Sequence, residues 1–328
     1  MSSKKLEIKL YGSWSTYAVF MMSTLESCGM WDVNDTYQEF LGETCIGFQI
    51  LIHKNCSTIA VTYYDWKTDH TYFMNSIGVK TESCMVHPGD ADYDSEQEKA
   101  ISNIKASIDN GRAVIVWGID TGEFGIIHGY DDEDGVFFTL GVNSLNSMYS
   151  DPILYENLGK TFEFSPWIYY QYPISNKPIP KKEMIKNSLK YYVEHMEGGN
   201  SEDDYTIGLA AYDHWINSLS GDFDSFGLRY CSVIYWERKD SICLYMNIVK
   251  RYFPDNVHVE ELQTLFSEIA RLYLRLREDV LNQGLDGPGD LSKPVTKDMA
   301  KEAVKVILDI KSLEEKAVKT THEFLRSL

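Results

Sequence analysis

Residues 5–11 (KLEIKLY) alternate apolar and polar side chains and predict a short strand. The next run, TYAVFMMSTLESC over 16–28, is apolar almost all round, which predicts a helix buried on most faces and stopped at Gly29. Between Phe48 and Tyr64, the β-rich runs FQILIH and TIAVTYY flank the polar KNCS and predict a hairpin or short connection. HPGDADYDSEQ (87–97) reads as a loop, after which Ile101, Ile104 and Ile108 recur at helical spacing up to Gly111. AVIVWGI, EFGIIHGY and GVFFTLGV then predict three strands joined by the turns DTG and DDEDG. Such short turns allow only antiparallel pairing. Helices followed by an antiparallel sheet make this half α+β, not doubly wound.

The segment PISNKPIPKK (173–182) carries three prolines and breaks every pattern, so it is expected to separate two domains, 1–175 and 183–328. Beyond it the pattern is helical throughout, which predicts an all-α second domain. Leu262, Leu265, Phe266, Ile269, Leu272, Tyr273 and Leu276 form one stripe, a loop is expected at GLDGPGDLSKP (284–294), and a last helix from about Thr296.

Composition narrows the classes of function. The chain has 328 residues and a formal net charge of −18, with no Lys/Arg stripe, which argues against a nucleic-acid backbone as partner. No apolar run reaches the length of a membrane span and the start lacks a signal-type apolar segment, so no membrane partner is expected and the cytoplasm is the expected location. The six cysteines lack paired metal spacing, and most read as buried free thiols. Cys84 and His87, with Asp90 and Asp92, fall short of a four-ligand zinc pattern. Neither a metal nor an organic cofactor is expected.

Several stretches together resemble one family. The buried helix ends at Gly29; LGETCIGFQI (41–50) resembles a glycine-rich turn running into an aromatic strand; YYDW (63–66) follows. SIDNGRAVIVWGIDTGEFGIIHGYDDEDGVFF (107–138) resembles a helix, a Gly-Arg-Pro-Val strand, a turn, and a His-led strand ending in Gly-Tyr-Asp. This order is similar to the papain-like domain of bacteriocin-leader peptidases and of the butirosin biosynthesis protein H type. YTIGLAAYDHWINSL (205–219) resembles a helical region that follows this domain in uncharacterised bacterial proteins. The resemblance implies a papain-like fold with a central buried helix, and a cysteine–histidine–aspartate site working on peptides, or on acyl groups delivered by an acyl carrier protein.

The residues at the implied positions are different. Where the resemblance puts a nucleophilic cysteine, at the start of the buried helix, the chain has Thr16, preceded by Trp14 and Ser15. Where it puts the histidine there is Glu123, and where it puts the orienting aspartate there is Leu140, with Asn143 and Asp151 downstream. His128 lies five positions along the same strand as Glu123, on the opposite face. A Thr–Glu pair is a poor nucleophilic system, because an ordinary glutamate ionises near ~4.3 and is a weak base for a hydroxyl.

The chain therefore reads as a degenerate papain-like protein. Glu123 would hold a small amine or peptide-type ligand beside Trp14, Tyr17 and Trp66, with Ser15 and Cys45 bordering the cleft. The alternative is a live acyltransferase or amide hydrolase using Thr16, Ser15 or a displaced Cys45, or direct transfer with Glu123 as base. Plainer roles compete with both: Ser15 or Thr16 as helix N-cap, Glu123 as a solvated turn residue, His128 as a core histidine.

Overall fold

The computed structural model describes residues 2–145, 150–161, 166–199, 204–282 and 293–328. Its elements, in chain order, are β1 (Ser3–Lys5), α1 (Thr16–Ser27), α2 (Tyr37–Glu43), β2 (Leu51–His53), α3 (Trp66–Ser76), β3 (Val79–Val86), α4 (Tyr93–Asp109), β4 (Val114–Ile119), β5 (Glu123–Asp131) and β6 (Val136–Leu140). Then come α5 (Val142–Leu145), β7 (Ile153–Leu154), β8 (Ile168–Asn176), α6 (Lys181–Glu197), β9 (Tyr205–Ile207), α7 (Gly208–Ser218), α8 (Ser225–Tyr252), α9 (Val257–Arg275) and α10 (Lys297–Arg326). The fold class is α+β. Two units divide the chain: Met1–Tyr37 with Asp65–Pro178, and Gln38–Tyr64 with Ile179–Leu328.

The first unit is built on an antiparallel sheet of order β3-β8-β4-β5-β6-β7, with β1 also paired to β5. Turn chemistry sets its centre. Asp120 and Gly122 take left-handed backbone conformations (φ 52° and 81°) between β4 and β5, conformations that Asp and Gly tolerate. Between β5 and β6, the Asp131 carboxylate accepts the Glu133 amide at 2.8 Å and closes the DDEDG turn. Val116 and Tyr170 face α4, packing with its Ala100, Ile104 and Ile108. Their strand neighbours Trp117 and Tyr169 face the other way, into an aromatic layer with Trp66 and His70 of α3 and Tyr17 of α1. Helix α1 is buried continuously from Tyr17 to Leu25, as its apolar circumference requires, and Gly29 (φ 72°) ends the run.

The second unit contains α6 to α10. Leu262, Leu265, Phe266, Ile269, Leu272, Tyr273 and Leu276 are all buried, as their spacing predicts. Thr296 caps α10, its hydroxyl accepting the Met299 amide at 3.2 Å. Most of the 284–294 loop lies outside the described residues. One short ribbon accompanies the helices, β2 paired with β9. Among the described residues no helix is long and apolar enough to cross a membrane.

Four sequence expectations change. The 5–11 strand is β1 at 3–5, because only the end of β5 (129–131) is free to pair there; Leu6 adds one amide bond to His128 O at 2.8 Å. The 48–64 hairpin does not form: Leu51–His53 pairs with Tyr205–Ile207, and 58–62 makes a 3-10 turn capped by Ser57. The loop over 87–97 is shorter, since α4 begins at Tyr93. Finally, the sequence divides the chain into 1–175 and 183–328, whereas residues 38–64 group with the helical unit. There Lys181 bridges both carboxylate oxygens of Glu43 at 2.9 and 3.0 Å, and Gly42 lies so close to the Tyr245 ring that a Cβ would sit 2.4 Å from it.

Candidate functional site

The first unit brings together the two residues that occupy the implied nucleophile and base positions. Thr16 is the first residue of α1 and Glu123 the first of β5. The Thr16 hydroxyl donates to Glu123 Oε2 at 3.0 Å. Both residues are half-buried. The turn that presents Glu123 is tied down on its far side: Asp120 Oδ2 accepts the Asn143 amide at 2.8 Å and the Ser150 hydroxyl at 2.9 Å. Ile119 and Glu123 pair directly across it.

Three consequences follow from this geometry. A carboxylate against the first turn of a helix meets outward-pointing amides and the positive end of the helix dipole, a setting that favours its charge. The hydroxyl proton points at the carboxylate, within the range over which a base can take it. A carboxylate also suits an ammonium or amide N–H donor.

Ser15 occupies the N-cap position, but its side chain makes no cap bond; its amide instead donates to Ser13 Oγ at 2.9 Å. Tyr17 and Trp66 do not form open cleft walls. Tyr17 is 5 % exposed, stacks on His70 with ring centroids 3.5 Å apart, and donates its hydroxyl to Gln171 Oε1 at 2.8 Å. Trp66 is enclosed by Trp117, Phe124, Trp167 and Tyr169. Both belong to the aromatic layer, which gains its other members from β4, β5 and β8. In the first unit, Trp14, Trp117 and Trp167 are half-buried tryptophans that keep some exposure. Sequence reasoning missed the last two; their lone-aromatic positions at the ends of apolar strand runs were the available signal.

Cys45 is fully buried, belongs to the helical unit, and caps the 3-10 turn Ile46–Phe48 with φ 72°. Leu140 pairs with Ile126 inside the sheet, Asn143 contributes its amide to Asp120, and Asp151 is exposed, accepting the Thr139 hydroxyl on its carbonyl. His128 is the core histidine of the plainer expectation: buried, bonded through Nδ1 to Leu6 O at 2.7 Å, with burial pulling its pKa down.

Under the Thr16–Glu123 pair lies a buried polar chain that composition did not reveal. His70 Nδ1 meets the Tyr169 hydroxyl at 2.6 Å; Gln171 takes the Tyr17 hydroxyl and gives its own amide to Thr81 Oγ1 at 2.9 Å. Full burial drives the His70 pKa far below the ordinary histidine range, so the ring is neutral at pH 7. This chain fixes Tyr17, and with it the start of α1. Compared with protein-family models and with curated proteins, the chain matches none.

Proposed function

We propose that the first unit is a papain-like domain whose helix-start and strand-start residues have become Thr16 and Glu123, and that it binds a small amine or the amino group of a peptide-type ligand. The supporting observation is the 3.0 Å Thr16–Glu123 bond, formed between the two positions that the family resemblance pairs. An ordinary carboxylate is a weak base for a threonine hydroxyl and a good charged partner for an ammonium. The service such a protein performs is ligand capture in peptide or natural-product biosynthesis.

The test is a thermal-shift screen of polyamines, amino sugars and amino acids against wild type and Glu123→Gln. The variant keeps the shape of the side chain and removes its charge. It should fold normally and bind the best amine more weakly by about 2 kcal/mol or more. Equal shifts in both proteins for every amine would overturn the reading.

The same bond supports a second reading, acyl transfer or amide hydrolysis, because the hydroxyl lies within proton-transfer distance of the carboxylate. Intact-mass analysis after incubation with an acyl-loaded carrier protein separates the two. An acyl adduct that disappears in Thr16→Val identifies a threonine nucleophile; amine binding that persists in Thr16→Val without any adduct supports capture.

A further inference from the structure

We infer that His258, Glu261 and Glu323, where the start of α9 meets the end of α10, form a binding site for a divalent transition ion of the Zn2+ type. The ligand-capable atoms of the three side chains all lie within 4.8 Å of one another. His258 and Glu261 are three residues apart on α9 and so share one helix face, while Glu323 comes from α10.

Exposed carboxylates near a histidine are common without an ion, so proximity alone decides nothing. The spacing is more specific. His258 Nδ1 and Glu323 Oε2 are 3.7 Å apart. A direct charge-assisted bond would close to about 2.7–2.9 Å. Ligands held about 2.1 Å from a tetrahedral zinc sit roughly 3.4 Å from each other, close to the observed gap. Glu261 has no hydrogen-bond or ion-pair partner among the described residues. Lys319, largely exposed, reaches only to 4.0 Å from Glu323 and is a weak competitor.

The two helix ends are held independently of the three side chains. Asn256 caps α9 through the His258 amide at 3.0 Å and donates its own amide group to Ser327 Oγ at 2.8 Å. Phe253 meets Phe324 edge-on at 5.2 Å. One imidazole and two carboxylates select zinc-like ions over Mg2+ and Ca2+, which prefer all-oxygen sites. Three protein ligands leave water to complete the shell. A net charge of −18 draws cations to the surface generally.

Calorimetric titration of Zn2+ into the metal-stripped full chain at pH 7 tests the site. One saturable ion per chain is expected, weakened by about tenfold or more in His258→Ala and in Glu323→Gln. Cys84→Ala, which removes a half-buried thiol elsewhere, should leave that binding unchanged. Glu261→Gln is exposed enough to fold as wild type and should also weaken it, which separates lost ligation from lost structure. Absence of saturable binding, or binding that His258→Ala and Glu261→Gln leave intact, would overturn the proposal.

Discussion

Replacing Glu314 with Gln is expected to cost the helical unit about 3–5 kcal/mol of stability, the largest loss we anticipate from any single conservative change. Glu314 of α10 and Lys239 of α8 are both fully buried, with Nζ 2.7 Å from Oε1. The approach lacks hydrogen-bond alignment, so the attraction is Coulombic more than directional. The carboxylate also accepts the Tyr192 hydroxyl at 2.6 Å and the Tyr212 hydroxyl at 3.1 Å, and Tyr212 meets Tyr273 at 2.9 Å. Five helices, α6 to α10, thus place one polar side chain each at a single buried point. Removing only the negative charge strands an ammonium away from water, and that penalty dominates. Removing both charges, as in Lys239→Met with Glu314→Gln, should recover more than half of the loss. Urea unfolding monitored by the helical signal gives both numbers. A single-variant cost below about 1 kcal/mol would mean that water reaches the pair, contrary to the packing.

That hub could not be read from the sequence, because its residues lie in five different helices and each looks like an ordinary helical position. The strands from Val114 to Leu140 were legible for the opposite reason: their pairing is local and their Asp/Gly turns fix it. The 51–53 strand was recognised as strand-like, yet its partner lies about 150 residues away at 205–207, so local reasoning supplied a false hairpin. Helix α3 was missed although Asp65 caps it in a readable way, accepting the Lys67 and Thr68 amides at 3.0 and 3.1 Å. Its sequence, WKTDHTYFMNS, carries too few apolar residues to declare a helix without the sheet it packs on. Strand β3 alternates weakly, and its polar residues mark it as an edge. At the site, motif order placed Thr16 and Glu123 opposite each other. It could not tell that Tyr17 and Trp66 are core, because their neighbours come from β4, β5 and β8.

Acidification should destabilise the helical unit through His195. This ring is half-buried, and desolvation holds its pKa down at about 4 against the opposing pull of its contact with Ile50. Nε2 lies 2.9 Å from the Ile50 amide and 3.0 Å from the Ile50 carbonyl, so the neutral ring can serve either group while a charged ring serves only the carbonyl. An unfolded histidine titrates near ~6.5, so between that value and about 4 the unfolded chain binds a proton that the folded one refuses. The stabilisation is therefore complete above pH 6.5 and is lost as pH falls toward 4, by up to about 3 kcal/mol. Other groups work against this trend. The Asp240 carboxyl is raised by burial, so its protonation favours the folded state in acid, and falling pH also relieves the repulsion of a chain at −18. The diagnostic quantity is thus the difference in pH slope between wild type and His195→Gln. Urea unfolding at pH 7.5 and at pH 4.5 should show the variant, which retains an acceptor for the Ile50 amide, losing less stability than wild type between the two. Equal losses in both proteins would show that this histidine does not carry the acid sensitivity.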